Sequence, residues 1–193
     1  MEGYVQRFQK DTERSIKGEY PNERAESDNM RIQTMNSFPE IRLLLEGIEE
    51  GYVKKAWHGT NLRGSIRGLS AKQAAVRPGK NRHNIWEIVV HCAYWKYAVW
   101  RRITGEKRGS FPLKGSNWFP RPAENSEQAW RGDVGLLNEM HELMIDAVAR
   151  LRPSDLKKVP KGSNVDNRSM IFGIAAHDIY HAGQIQLIKR MVR

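Results

Sequence analysis

Residues 177–190 read HDIYHAGQIQLIKR, and the first five, His177-Asp178-Ile179-Tyr180-His181, decide how the whole chain is read. Two histidines four apart on a helix share one face, one turn above the other. That spacing lets two imidazoles bind one metal ion without distorting the backbone. The segment itself reads as helix. Ile171, Ile174, Ile185 and Ile188 keep near-helical spacing, and no proline interrupts them.

Working outward, the same period recurs. Ile41, Leu44, Leu45, Ile48 and Tyr52 form a stripe, with Pro39 in the first turn. Thr60 is placed to cap a short helix carrying Leu62, Ile66 and Leu69, and Arg77-Pro78-Gly79 reads as a turn. Asn84 and Glu87 have capping-box spacing ahead of Ile85, Ile88, Val89, Cys92, Trp95 and Val99, and Gly105 is a stop signal. Ser126 caps a helix whose Trp130, Val134, Leu137, His141, Met144, Val148 and Leu151 alternate steps of four and three, a bundle seam. The last helix is expected from about 168 to 192. No strand period or internal repeat stands out, so the chain is predicted to be all-α, an antiparallel four-helix bundle. The long loop GSFPLKGSNWFPRPAEN, rich in Gly, Pro and aromatics, is expected to pack on the body.

Residues 1–36 differ. They are charged, with little apolar periodicity, and read as a flexible extension preceding a domain at 37–193. Met30 and Met35 are alternative starts. The 193 residues otherwise suit one domain able to bury a core. Mean hydropathy is negative and no apolar stretch approaches a membrane span, so a soluble protein without membrane contact is expected. The first residues lack the apolar centre of a signal peptide, and the single cysteine, Cys92, fits a reducing cytoplasm and reads as a small buried apolar side chain. The net charge of +10 permits nucleic-acid binding. Its Lys and Arg are scattered, however, without the aromatic interleaving of single-strand binders. A basic solvated surface that draws in anionic small molecules is the better reading.

His177 and His181 supply two ligands, and a catalytic site wants a third plus an open position. His91 is the strongest candidate, because an unpaired imidazole in NIWEIVVHCAYW would be costly to bury. His141, on the seam of the third main helix, is second. His83 lies at a helix boundary and His58 in a turn. H-D-x-x-H invites comparison with the H-E-x-x-H of zinc proteases. Yet the motif ends twelve residues before the last residue, which leaves no room for a downstream third ligand. Asp178 faces away from the pair and is expected to orient or neutralise a neighbour.

These segments, NIWEIVVHCAYW and HDIYHAGQIQLIKR, carry a resemblance. From about residue 38 to 193 the chain resembles the DinB/YfiT-like family of small metal-binding four-helix bundles. The matching ligand positions are His91, His177 and His181. The resemblance implies a divalent ion of the nickel or zinc type and frequent homodimers. It does not imply one reaction, since relatives include transferases and isomerases that use low-molecular-weight thiols, and proteins described as metal-dependent hydrolases. The charged extension and the aromatic loop depart from the family pattern.

An ion held by three neutral imidazoles keeps its full charge, and would acidify a water or take up a thiol as thiolate. The first outcome is a hydrolase and the second a thiol S-transferase, which the resemblance favours. Gln184, on the ligand face, is a candidate to hold substrate or a ligand, with seam hydrogen bonding as the even alternative. Trp95 and Trp118 are candidate pocket walls, against plain packing; Trp118 and Phe119 are also candidates for a lid. The competing class is a non-catalytic, metal-stabilised bundle that binds nucleic acid or a protein.

Overall fold

The computed structural model describes residues 38–192. The expected flexible segment 1–36 therefore lies outside the described residues. Within them the fold is all-helical, with six α-helices and no β-strand. These are α1 (Pro39–Tyr52), α2 (Leu62–Ile66), α3 (Ala71–Ala75), α4 (Ile85–Thr104), α5 (Glu127–Ala149) and α6 (Asn167–Met191).

The start signals work by side chains that satisfy otherwise orphaned amides. The Asn84 side chain accepts from the Glu87 N–H, and Glu87 answers to the Asn84 N–H, a full capping box on α4. Ser126 caps α5 and Asp166 caps α6. Gly105 ends α4 in the left-handed conformation, at φ 78°. Pro39 starts α1, where a missing N–H costs nothing.

Two expectations are corrected. Thr60 does not cap α2; Asn61 does, its Oδ1 accepting from the Gly64 N–H at 2.8 Å. Nor does one short helix carry Leu62, Ile66 and Leu69. Gly68, at φ +73°, breaks it, and Ser70 with Gln73 opens α3 through a second capping box.

Helix α4 packs along α5 and α6, α1 packs on α6 and α5, and α2 covers part of α6. Ile85, Trp86 and Val89 of α4 meet Leu137 and Met140 of α5 and Ile185 and Ile188 of α6 in one apolar cluster. Phe111 and Phe119 of the long loop are buried in the same cluster, so that loop is held on the body as its composition predicts. At Gly51 the backbones of α1 and α6 nearly touch. A Cβ there would lie 2.9 Å from the Ala175 carbonyl oxygen.

A second, polar core runs between the helices. The Lys96 ammonium on α4 is fully buried and bonded to the Asp178 carboxylate on α6, also fully buried. It lies 4.5 Å from the centre of the Tyr52 ring, a cation–π contact. Tyr52 stacks on His141 at 3.7 Å, and His141 Nε2 meets Glu49 Oε1 at 3.1 Å. Among the described residues no helix is long and apolar enough to cross a membrane.

Candidate metal centre

Helix α4 carries His91 and α6 carries His177 and His181, and the packing of these two helices brings the three imidazoles together. His177 Nε2 lies 3.1 Å from His91 Nε2 and 3.1 Å from His181 Nε2. His91 and His181 are buried and His177 is half-buried, so the cluster opens toward solvent at His177.

The opposite ring nitrogens fix the tautomers. His91 Nδ1 lies 2.8 Å from the Asn117 carbonyl oxygen, which can only accept. His91 Nδ1 therefore carries the hydrogen and Nε2 presents its lone pair. His181 Nδ1 does the same toward Gln184 Oε1 at 2.7 Å. His177 stands between two lone pairs, and a proton on its Nε2 could serve only one of them. A cation at the shared point resolves both contacts and is within reach of all three nitrogens. Two metal–nitrogen bonds of about 2.0–2.1 Å at a tetrahedral angle set their nitrogens roughly 3.3 Å apart, close to what is found here. The donor set thus fits a divalent metal ion.

The electrostatics agree. Burial, followed by repulsion from His181, His91 and Lys96, lowers His177 to about 3. Burial and the neighbouring His91 lower His181 to about 4, against the bond to Gln184. Burial also lowers His91, opposed by its bond to Asn117. All three rings are neutral near neutral pH, with lone pairs free for a metal.

Around the three imidazoles, the loop and the start of α4 are tied down. Glu87, one turn before His91, accepts from Arg77, from His83 Nδ1 at 3.0 Å and from the backbone of Asn84 and Arg121. Asn117 adopts a left-handed conformation at φ 65°, which Asn tolerates better than most residues. Its side chain accepts from Trp95 Nε1 at 2.9 Å while its carbonyl orients His91. Trp118 is sandwiched between His83 at 3.6 Å and His91 at 3.9 Å, parallel to both.

Of the remaining candidates, Gln184 bridges His181 and Tyr180, donating to the Tyr180 hydroxyl at 2.9 Å. Trp95 is half-buried beside His91 and His177, with ring centres 6.3 Å away in each case. The structure does not bring His141 to the cluster; it lies in the polar core with Glu49 and Tyr52. His83 is exposed and joins only through Trp118, and His58 is exposed in a turn. Cys92 is fully buried, and its thiol lies within 4.8 Å of ligand atoms of His177 and Asp178. Burial first, and Asp178 next, push that thiol's pKa up, and the Lys96 ammonium bound to Asp178 repels a cation there.

Sequence reasoning missed Asn117 and Lys96. A lone lysine inside the apolar run of α4 was a readable signal of a buried acid elsewhere. Asn117, in the middle of a loop, carried none.

The family model of the DinB superfamily matches residues 55–185, a span that contains all three imidazoles. No curated protein and no solved structure matches the chain.

Proposed function

The chain belongs to the DinB superfamily, and on that premise we propose that it is a metal-dependent enzyme in which His91, His177 and His181 hold one divalent ion against a small-molecule substrate. The observation that carries this reading is the convergence of three Nε2 atoms, two of them held in the lone-pair tautomer by Asn117 and Gln184. When bound, such an ion supplies a Lewis acid able to activate a water or a thiol near neutral pH.

Thiol S-transfer, with a low-molecular-weight thiol as cosubstrate, is preferred over hydrolysis. A protease-type hydrolase needs a carboxylate free to act as base. Here the acid of H-D-x-x-H is neutralised by Lys96 within the core. The residues of the chain bind, orient and exclude water. Asn117 and Gln184 fix two ligand rings, and Trp118 covers His91. The Tyr180 hydroxyl accepts from Gln184, which leaves its own proton to donate toward a bound substrate.

The wider arrangement belongs to the same proposal. Residues 37–193 form the domain, and α1, α4, α5 and α6 make an antiparallel four-helix bundle in a cytoplasmic protein. A second copy covers the outer face of α6, where Phe172, Ile179 and Leu187 are exposed at helical spacing. Phe172→Asp should then shift sedimentation from dimer to monomer. A solvated basic surface, without nucleic-acid affinity, accounts for the net charge of +10.

Metal analysis of the purified protein and of His91→Ala tests the centre. About one divalent ion per chain is expected in the first and a marked loss in the second. Unchanged content in the variant would exclude the three-histidine site. A panel of thiols with an electrophilic acceptor then tests the chemistry, since turnover must require thiol and stop on chelation.

A further inference from the structure

The surroundings of the three imidazoles constrain what sits on them. None of the three ligands is anionic. Asp178, the carboxylate within 4.8 Å of His177, is paired with Lys96, and both are fully buried. A divalent ion on neutral imidazoles keeps its double charge. The group it takes from solution is therefore anionic, and the chain's net charge of +10 adds to the attraction.

Three aromatic rings flank the ligands, and they are not equivalent. Trp118 has both faces covered, by His83 and by His91, so only its edge is available. Trp95 and Tyr180 differ. Trp95 meets His91 at 71° and His177 at 58°, and Tyr180 meets His181 edge-on with centres 5.0 Å apart. Among the described residues no ring stacks parallel on either of them. Tyr180 is 62 % exposed and Trp95 half-buried. Each is also pinned at its polar tip, Trp95 by Asn117 Oδ1 and Tyr180 by Gln184 Nε2. A fixed aromatic face loses little entropy when a flat partner stacks on it.

We infer that this centre takes a ligand with an anionic head and a flat aromatic body, the head on the ion and the ring against Trp95 and Tyr180. The inference rests on the metal-centre reading above and adds the substrate class. Trp95 and Tyr180 are then specificity residues, and Trp118 a positioning residue that supports His91.

The test uses the full chain loaded with cobalt(II), whose visible absorption reports ligand uptake. Benzohydroxamate and cyclohexanecarbohydroxamate share one anionic head and similar bulk but differ in the π-face. Benzohydroxamate is expected to bind on the order of threefold to tenfold tighter, the usual worth of one aromatic pair. That preference should vanish in Trp95→Leu, persist in Trp95→Phe and shrink in Tyr180→Leu, with cobalt content unchanged. Equal affinity for the two probes, or a preference that survives both leucine variants, overturns the inference and leaves the metal centre standing. Failure of the wild-type chain to take up cobalt(II) overturns both.

Discussion

Lys96→Met should destabilise the protein severely, and a second substitution should repair it. Lys96 and Asp178 are both fully buried and bonded to each other. Lys96 bonds Asp178 Oδ2, Asp178 Oδ1 has no hydrogen-bond partner, and burial already raises this acid to about 6 against the pull of Lys96. Methionine fills the volume of the lysine stem but strands the carboxylate. Breaking one side of a buried pair costs about 3–5 kcal/mol. The cation–π contact with Tyr52 is lost as well, worth up to about 2 kcal/mol when desolvated. In a domain of ordinary stability, about 5–15 kcal/mol, that is roughly a fifth or more of the total. At about 2–4 °C per kcal/mol, the melting temperature should fall by roughly 6–28 °C. Lys96→Met with Asp178→Leu removes both charges and should recover most of the loss, since apolar replacement of a buried pair is often neutral or stabilising. Urea titrations of wild type, both single variants and the double, all in chelator, supply the cycle and keep metal binding out of it. A single-variant loss below about 1 kcal/mol, or a double variant as unstable as the summed singles, would refute the argument.

Three further outcomes follow from other parts of the molecule. Glu87 is pushed up by burial but held below its ordinary 4.5 by the stronger effect of its bonds to Arg77, His83, Asn84 and Arg121. A depressed acid stabilises the fold above its unfolded value and loses that contribution as pH falls through the folded one. Glu87→Gln should therefore be less stable than wild type by about 1–3 kcal/mol near neutral pH. Thermal melts of the two should converge below pH 4.5. Gly51→Ala gains helix propensity, yet its Cβ would lie 2.9 Å from the Ala175 backbone oxygen. Overpacking of about 1–3 kcal/mol should win, seen as a lower urea midpoint. Chelation of the metal-loaded protein should lower the melting temperature by about 8–16 °C if the ion is present at about 1,000 times its dissociation constant, and excess zinc should restore it. No shift on chelation would mean that the ion does not stabilise the fold.

What could be read in advance followed the range of the physics. Capping and helical periodicity are local, so Asn84 with Glu87, Ser126, Gly105 and the seam of α5 were legible directly. The break at Gly68 was misjudged because Leu62, Ile66 and Leu69 mimic one stripe, while the Ser70–Gln73 box beyond it outcompetes continuation. His177 and His181 were legible because four residues on a helix fix their geometry without any tertiary knowledge. His91 needed the packing of α4 on α6, and spacing alone could not separate it from His141, which sits on an equally good seam. The loop was hardest. Its aromatics announced packing, but which backbone oxygen would face His91 depends on a left-handed residue at Asn117, and nothing local singles that one out.

That residue ties two properties to one point. The carbonyl of Asn117 aims His91, one of the three rings proposed to hold the metal, and its side chain grips Trp95, the indole proposed to recognise substrate. Remodelling the loop to admit a different substrate would therefore swing His91 and retune the affinity for the ion. Descendants of this chain would change specificity and metal preference together, and engineers grafting the loop into another bundle would have to transplant Trp95 with it.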